Sequence, residues 1–259
     1  MIVDNSCYLE SIRSYELNLA MGYMPKGARI LEIGAGAGWQ AKMLAEHGYW
    51  VKAIDVQSSR YLPYTVFPVQ FYDGYTIPFA NDTFDIVFSS NVLEHIPHLV
   101  DFQDEIKRVL KPGGLAVHVI PTSTWRLWTS LTHYIYIVKL IFRALKYSIF
   151  KIFTQENFAY MTAKRLPLVR LVCIMLWPHR HGEHGGSLSE LYLFSRYGWK
   201  RLFKQGGWAI KYTRYTSIFY TGNAIFHHNL SLKVRASLSC ILGSSTNIFC
   251  LHDTSKIIK

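Results

Sequence analysis

Acidic side chains are scarce in this 259-residue chain: 17 Asp and Glu stand against 28 Lys and Arg, for a formal net charge of +11. Such a balance suits an anionic partner, whether nucleic acid, anionic lipid or a phosphorylated substrate, and the sign alone does not choose among them. Cysteine is scarce too. Cys7, Cys173, Cys240 and Cys250 include no pair at metal-ligand or redox-motif spacing, which excludes a disulfide framework and points to a reducing compartment. Residues Met1 to Glu10 lack a basic region followed by an apolar run, so no signal peptide is expected. No run reaches about 18 uncharged apolar residues, which argues against a membrane span. Internal repeats and low-complexity tracts are missing. Disorder is excluded in turn, because 50% of the residues are hydrophobic and 15% aromatic, ample for a packed core.

What is present is a strand–helix rhythm. Tyr8 to Met24 spaces its apolar residues as a helix, and Pro25 and Gly27 end it. Arg29 to Ile33 is a short apolar strand running into a glycine cluster. A helix over Trp39 to His47 follows, then a strand over Trp50 to Ile54 closed by Asp55. Strands are also predicted at Val66 to Phe71, Phe84 to Ser89 and Leu115 to Ile120. The last two are separated by a helix over Leu99 to Leu110 and a turn at Lys111-Pro112-Gly113-Gly114. After an interruption from Thr122 to Gly186 come a helix over Leu188 to Gln205, a strand over Trp208 to Tyr215, a helix over Leu230 to Leu242 and a strand over Asn247 to Leu251. This alternation implies an α/β fold: a doubly wound, seven-stranded, mostly parallel sheet with a helical insertion between strands five and six. Three segments follow: 1–121 as the cofactor-binding half, 122–186 as the insertion, and 187–259 completing the domain.

The sharpest local signal is Glu32-Ile33-Gly34-Ala35-Gly36-Ala37-Gly38, directly after a strand and opening a helix. Alternate glycines let backbone approach a ligand closely, and the helix N-terminus offers free N–H groups. Asp55, about 20 positions on, supplies a carboxylate able to accept from both ribose hydroxyls, as a dinucleotide site also requires. Two details separate this loop from a dinucleotide fingerprint. Its spacing is G-x-G-x-G, and Glu32 precedes the first glycine, where a carboxylate would repel a pyrophosphate but tolerate a positively charged sulfonium with an amino-acid tail.

These residues resemble the class I S-adenosylmethionine-dependent methyltransferase family, in its small-molecule and ubiquinone-type subgroup. The resemblance extends to Asp73-Gly74, to Ile77 through Asp85, to the Ser89-Ser90-Asn91-Val92-Leu93-Glu94-His95 loop and to Leu110 through Gly114. It covers roughly Gly27 to Ile120, and more loosely Phe194 to Leu251. It implies a Rossmann-like fold and S-adenosylmethionine as cofactor. Gly34, Gly36 and Gly38 would shape the loop around the methionine moiety, Asp55 would hold the ribose, Asp73 the adenine edge, and Asn91 would line the cofactor near the sulfonium. Some relatives place a metal on a Glu-x-x-Glu-His set at this loop; Asn91 stands where the first Glu would be, so no metal is expected.

His95 is the first candidate catalytic base, since its ordinary pKa suits proton acceptance near neutrality; the competing reading is a helix-start histidine bonded to Glu94 or backbone. His118 lies within strand five and reads as a packed residue. The loop His179-Arg180-His181-Gly182-Glu183-His184-Gly185-Gly186 could touch substrate, act as base or bind a metal, though its spacing fits no metal template; His184 is the second catalytic candidate. In the insertion, Trp128, Leu131, Ile135, Val138, Phe142, Leu145, Ile149 and Phe153 form a helical apolar face, with Lys139, Arg143 and Lys146 in a basic stripe. This is either a cap over the substrate or an interfacial membrane helix.

The expected activity is methyl transfer to a small-molecule, sugar or lipid-linked saccharide acceptor, cytoplasmic or peripheral at the inner face of an anionic membrane. The chain also loosely resembles methyltransferases of bacterial cell-surface polysaccharide pathways. Alternatives are a quinone or lipid methyltransferase, an RNA methyltransferase, or a non-catalytic assembly factor. Nucleic acid is disfavoured: the loop after strand four lacks an Asn/Asp-Pro-Pro-aromatic set, and the basic residues sit beside apolar runs rather than on polar faces.

Overall fold

A computed structural model describes residues 2–57, 65–153, 177–222 and 230–256. The elements in chain order are α1 (Ile2–Met21), β1 (Arg29–Ile33), α2 (Trp39–Glu46), β2 (Trp50–Val56), β3 (Val69–Tyr72), β4 (Phe84–Ser90), a 3-10 turn (Leu93–His95), α3 (Leu99–Val109), β5 (Leu110–Pro121), α4 (Ser123–Phe153), α5 (Ser189–Leu193), α6 (Arg196–Gln205), β6 (Trp208–Tyr215), α7 (Leu232–Leu242) and β7 (Thr246–Asp253).

The strands form one sheet in the order β3-β2-β1-β4-β5-β7-β6. β1 to β5 pair in parallel, and β7 enters antiparallel between β5 and β6. The seven-stranded, mostly parallel sheet expected from the rhythm is therefore observed. Burial on both faces explains the near-continuous apolar strands. On one face Leu31, Ile33, Val87 and Phe249 pack with Phe102 and Ile106 of α3 and Trp199 and Phe203 of α6. On the other, Ile30, Ile86, Phe88 and Val117 pack with Leu17 and Ala20 of α1 and Leu44 of α2.

Local chemistry moves several boundaries. The third strand begins at Val69 rather than Val66: the Val66 N–H is spent on Ala37 O at 2.8 Å, and Pro68 has no N–H to give a ladder. Lys111 to Gly114 is not a free turn but an irregularity at the start of β5, where Leu110 pairs with Phe84 and Leu115 with Ile86. The helix expected from Leu188 to Gln205 divides at Ser195. That hydroxyl accepts from Gly198 N at 3.0 Å as an N-cap, and Gly198 packs so closely that a Cβ there would lie 2.4 Å from Tyr192 O.

α4 starts where Thr122 Oγ1 accepts from Trp125 N and donates to Ser244 O. Its first turns are fastened to the body. Trp128 Nε1 donates to Leu242 O at 3.0 Å, and the buried Arg126 side chain forms an ion pair with buried Glu190 at 2.9 Å. Further along, Tyr134, Ile135, Tyr136, Val138 and Phe142 are all exposed. Of the apolar face and basic stripe, the side chains of Arg143, Leu145, Lys146, Ile149 and Phe153 lie outside the described residues, as does a second apolar run of the insertion, Pro167 to Trp177, except for Trp177.

The chain reverses its winding between β1 and β4, which are neighbours in the sheet. Open α/β sheets bind ligands in the crevice at such a point, beyond the carboxyl ends of the strands. The carboxyl ends of β1, β2 and β4 all face it.

Candidate active site

The loop after β1 is a tight cradle. Gly34 N donates to Ile54 O at 2.9 Å and Gly38 N to Ala35 O at 2.8 Å. Gly34 and Gly38 have φ of 71° and 81°, and space makes the same demand as conformation. A Cβ on Gly34 would lie 2.4 Å from Val92 Cγ2, and one on Gly38 would lie 2.8 Å from Phe67 Cβ. Gly34 thus allows the loop to lie directly against the segment following β4, and Gly38 against the segment leading into β3.

Two carboxylates flank that cradle. Asp55, at the end of β2, accepts from Gly36 N at 2.6 Å through one oxygen and from its own neighbour Val56 N at 2.7 Å through the other. Glu32 is 2% exposed, and its Oε2 has no hydrogen-bond partner. Burial, with some repulsion from Asp55, pushes its pKa up to about 8. A buried carboxyl with a spare oxygen is fit to receive a cationic group.

Asn91 follows β4 with φ of 54°, a left-handed conformation uncommon outside glycine and frequent at functional sites. Its N–H donates to Val119 O at 2.8 Å. Asp73 is exposed and accepts from Tyr75 N and Thr76 N, both at 2.8 Å, holding its own turn. These two bonds keep its pKa below the ordinary carboxylate value. The turn is fixed from behind by His98, whose Nε2 lies 3.0 Å from Gly74 O.

A second group of side chains gathers beyond Asn91. His95 Nε2 is 3.9 Å from Glu94 Oε1, and His181 Nε2 is 4.0 Å from the same oxygen. The two imidazoles meet edge to face at 4.7 Å. Glu94 is buried, with neither carboxyl oxygen hydrogen-bonded, and burial pushes its pKa up to about 7. Burial lowers the pKa of both histidines, that of His181 to about 3, so both rings are neutral near pH 7.

The loop carrying His181 is built into place. His181 N and Gly182 N both donate to Glu190 Oε1 at 2.7 Å, Glu183 N donates to Glu94 O at 2.9 Å, and Arg126 donates to His179 O at 2.8 Å. Behind it a cleft of about 250 Å³ is lined by Leu93, Glu94, His184, Leu193 and Phe194 among others.

Glu32, Gly34, Gly36, Gly38, Asp55 and Asn91 therefore converge on one crevice, while Asp73 sits at its outer rim beyond β3. His95 lies four residues past Asn91. His184 is exposed at the cleft, and it is His181 that joins Glu94 and His95. His118 is packed: it bonds Ser89 Oγ at 2.8 Å and stacks on Phe203. The sequence placed His181 in the candidate loop but favoured His184 within it, and it gave no sign of Arg126 or Glu190. The histidine-rich loop drew attention, but no spacing rule selects one of its three rings. A buried arginine and glutamate 64 positions apart (190 − 126) leave no local signal at all.

Residues 31–118 match the methyltransferase domain family. A solved S-adenosylmethionine-dependent methyltransferase from Mesorhizobium loti superposes with a TM-score of 0.52 at 16% identity, over 92% of this chain and 97% of that one. This is the class I methyltransferase fold. In sequence, an uncharacterized methyltransferase of Mycobacterium leprae is 32% identical over 130 residues, 44% of this chain and 46% of that protein. Another, of Mycobacterium tuberculosis, is 35% identical over 99 residues, 36% of this chain and 39% of that protein. The chain spans less than half the length of these relatives. The 31–118 stretch matched by the family model contains the glycine cradle, Asp55, Asp73, Asn91 and the Glu94-His95 pair.

Proposed function

We propose that this protein is an S-adenosylmethionine-dependent methyltransferase whose acceptor is a sugar or lipid-linked saccharide reached at a membrane surface. The observation that carries the cofactor reading is the glycine cradle with Glu32 at its base. The crevice offers a buried carboxyl with one unpartnered oxygen where an ammonium group would sit, a second carboxylate at the end of β2, and a loop whose glycines exclude any side chain. The methyltransferase domain match supports the same reading.

Bound there, the cofactor would supply an activated methyl group on a positively charged sulfur. Within the chain, Glu32 would pair with the amino-acid end, Asp55 would exchange its Gly36 N–H bond for ribose hydroxyls, and Asp73 would face the adenine edge. Asn91 would line the sulfonium side. Because the methyl group comes ready activated, the protein's main contribution is alignment and exclusion of water. A hydroxyl acceptor must also lose a proton. His95, neutral and half-exposed beside the crevice, is placed to take it, and His184 at the cleft is a second candidate.

The membrane element of this reading rests on α4. Among the described residues no helix is long and apolar enough to cross a membrane. Yet Tyr134, Ile135, Tyr136, Val138 and Phe142 expose apolar surface around the helix, on a chain with net charge +11. Contact with an anionic interface accounts for both. The same surface favours, as a second reading, a quinone or other lipid acceptor.

Incubating labelled S-adenosylmethionine with host extract and this protein, then separating organic from aqueous products, tests the proposal. Label in a lipid-linked, acid-releasable sugar is the expected result, and label in a prenylated lipid would move the acceptor to the second reading. Label confined to RNA or soluble metabolites would remove the membrane role, and failure to bind the cofactor would overturn the enzymatic reading.

A further inference from the structure

We infer that Glu94, His95 and His181 form a binding site for a divalent first-row transition ion, with Zn2+ or Mn2+ the probes of choice. One donor atom from each residue lies within 4.8 Å of the other two, and the Glu94 oxygen stands 3.9 and 4.0 Å from the two Nε2 atoms. Bonds of about 2.0–2.2 Å to a common ion bring neighbouring donors to roughly 3–3.5 Å. The three groups therefore need to close by roughly 0.5–1.8 Å, depending on the pair. The two that must move are the exposed ones, with 43% and 35% of their side-chain surface open to solvent.

The independent observation is the state of Glu94. Its side chain is fully buried, and neither oxygen has a hydrogen-bond partner. Buried carboxylates are ordinarily paired or ligated, because leaving them bare costs several kcal/mol. The nearby cations are committed elsewhere. Arg13 pairs with Glu16 at 2.6 Å and donates to Tyr220, and Arg126 pairs with Glu190 while donating to His179 O and Ser187 O. What faces Glu94 instead is two imidazoles, with ring nitrogens 3.9 and 4.0 Å from one of its oxygens and placed to share a cation with it.

Two imidazoles and one carboxylate are the donors that borderline transition ions prefer, whereas Mg2+ and Ca2+ seek all-oxygen sets. The surroundings hold the donors in place. The backbone N–H of His181 is fixed by Glu190 and that of Glu183 by Glu94 O, and the His181 ring rests edge-on against Trp125 at 4.5 Å. Three protein ligands leave further coordination positions open. An ion there would occupy the His95 lone pair and supply in its stead a Lewis acid facing the acceptor.

The test is metal binding by the whole chain, stripped with a chelator and titrated calorimetrically with Zn2+ and with Mn2+, with Mg2+ as comparison and elemental analysis for stoichiometry. One transition ion per chain is expected, weakened at least tenfold in His181→Ala and in Glu94→Gln but unchanged in the loop control His179→Ala. Far-ultraviolet circular dichroism verifies that each variant is folded; His181→Ala removes a partly exposed ring and decides the matter should Glu94→Gln not fold. Absence of stoichiometric binding, or equal binding by wild type and His181→Ala, would overturn the site. The readout needs no methyl donor, so the ion site and the proposed transfer can fail separately.

Discussion

Cofactor binding should release a proton from Glu32, and the size of the effect follows from its burial. The free protein holds this carboxyl with a pKa of about 8, so at pH 7 roughly nine molecules in ten carry the proton. If the crevice receives the ammonium end of S-adenosylmethionine, Glu32 must ionise to pair with it. Ionisation at pH 7 then costs about 1.4 kcal/mol, one pKa unit's worth. The sign is fixed at lower pH: raising the pH removes the cost, so affinity rises until the ligand's own α-ammonium begins to lose its proton near pH 8. The dissociation constant should fall about ninefold from pH 6 to 7, the ratio that a single group with that pKa imposes, and less steeply from pH 7 to 8. Calorimetry in buffers of different ionisation enthalpy should show close to one proton released per cofactor at pH 6.5. Glu32→Gln removes the charge and the titration together. Its affinity should be about 10–100-fold weaker at pH 8, the scale of a charge-assisted hydrogen bond, and should approach wild type near pH 6, where wild type bears its full ionisation cost. A wild-type affinity independent of pH between 6 and 8, or a Glu32→Gln curve parallel to it, would refute the pairing.

Three other outcomes follow from the same geometry. Gly34→Ala should abolish measurable cofactor binding through the 2.4 Å collision with Val92; partial recovery by adding Val92→Gly would separate that clash from the positive-φ strain that remains. Asp55→Ala should raise the cofactor dissociation constant about tenfold or more while leaving the circular dichroism spectrum intact, and equal affinity would dismiss the ribose assignment. Arg126→Met should lower unfolding stability by about 3–5 kcal/mol in urea titrations, because Glu190 is left buried without its cation. The double variant Arg126→Met/Glu190→Met should recover much of that loss, and additive losses would show that the pair is not coupled.

Much of this protein could be read along the chain. The sheet was legible because a strand buried on both faces must be apolar throughout, as Phe84 to Ser89 is but for Asp85 and the terminal Ser89. The cradle was legible because a turn with positive φ and no room for a Cβ leaves only glycine at positions 34 and 38, and Glu32 and Asp55 lie at fixed offsets from it. Local competition was harder to see. The break at Ser195 depends on a side-chain cap winning over helix continuation, and the late start of β3 depends on Val66 giving its N–H to Ala37 rather than to a strand.

What the tertiary structure alone decided is which of the histidines meet. Glu94 and His95 are neighbours in the chain, but His181 reaches them only because Arg126 at the start of α4 and Glu190 at the start of α5 hold its loop over the end of β4. No periodicity encodes that contact: it is a long-range ion pair in the interior, and its partners are fixed by packing rather than by spacing.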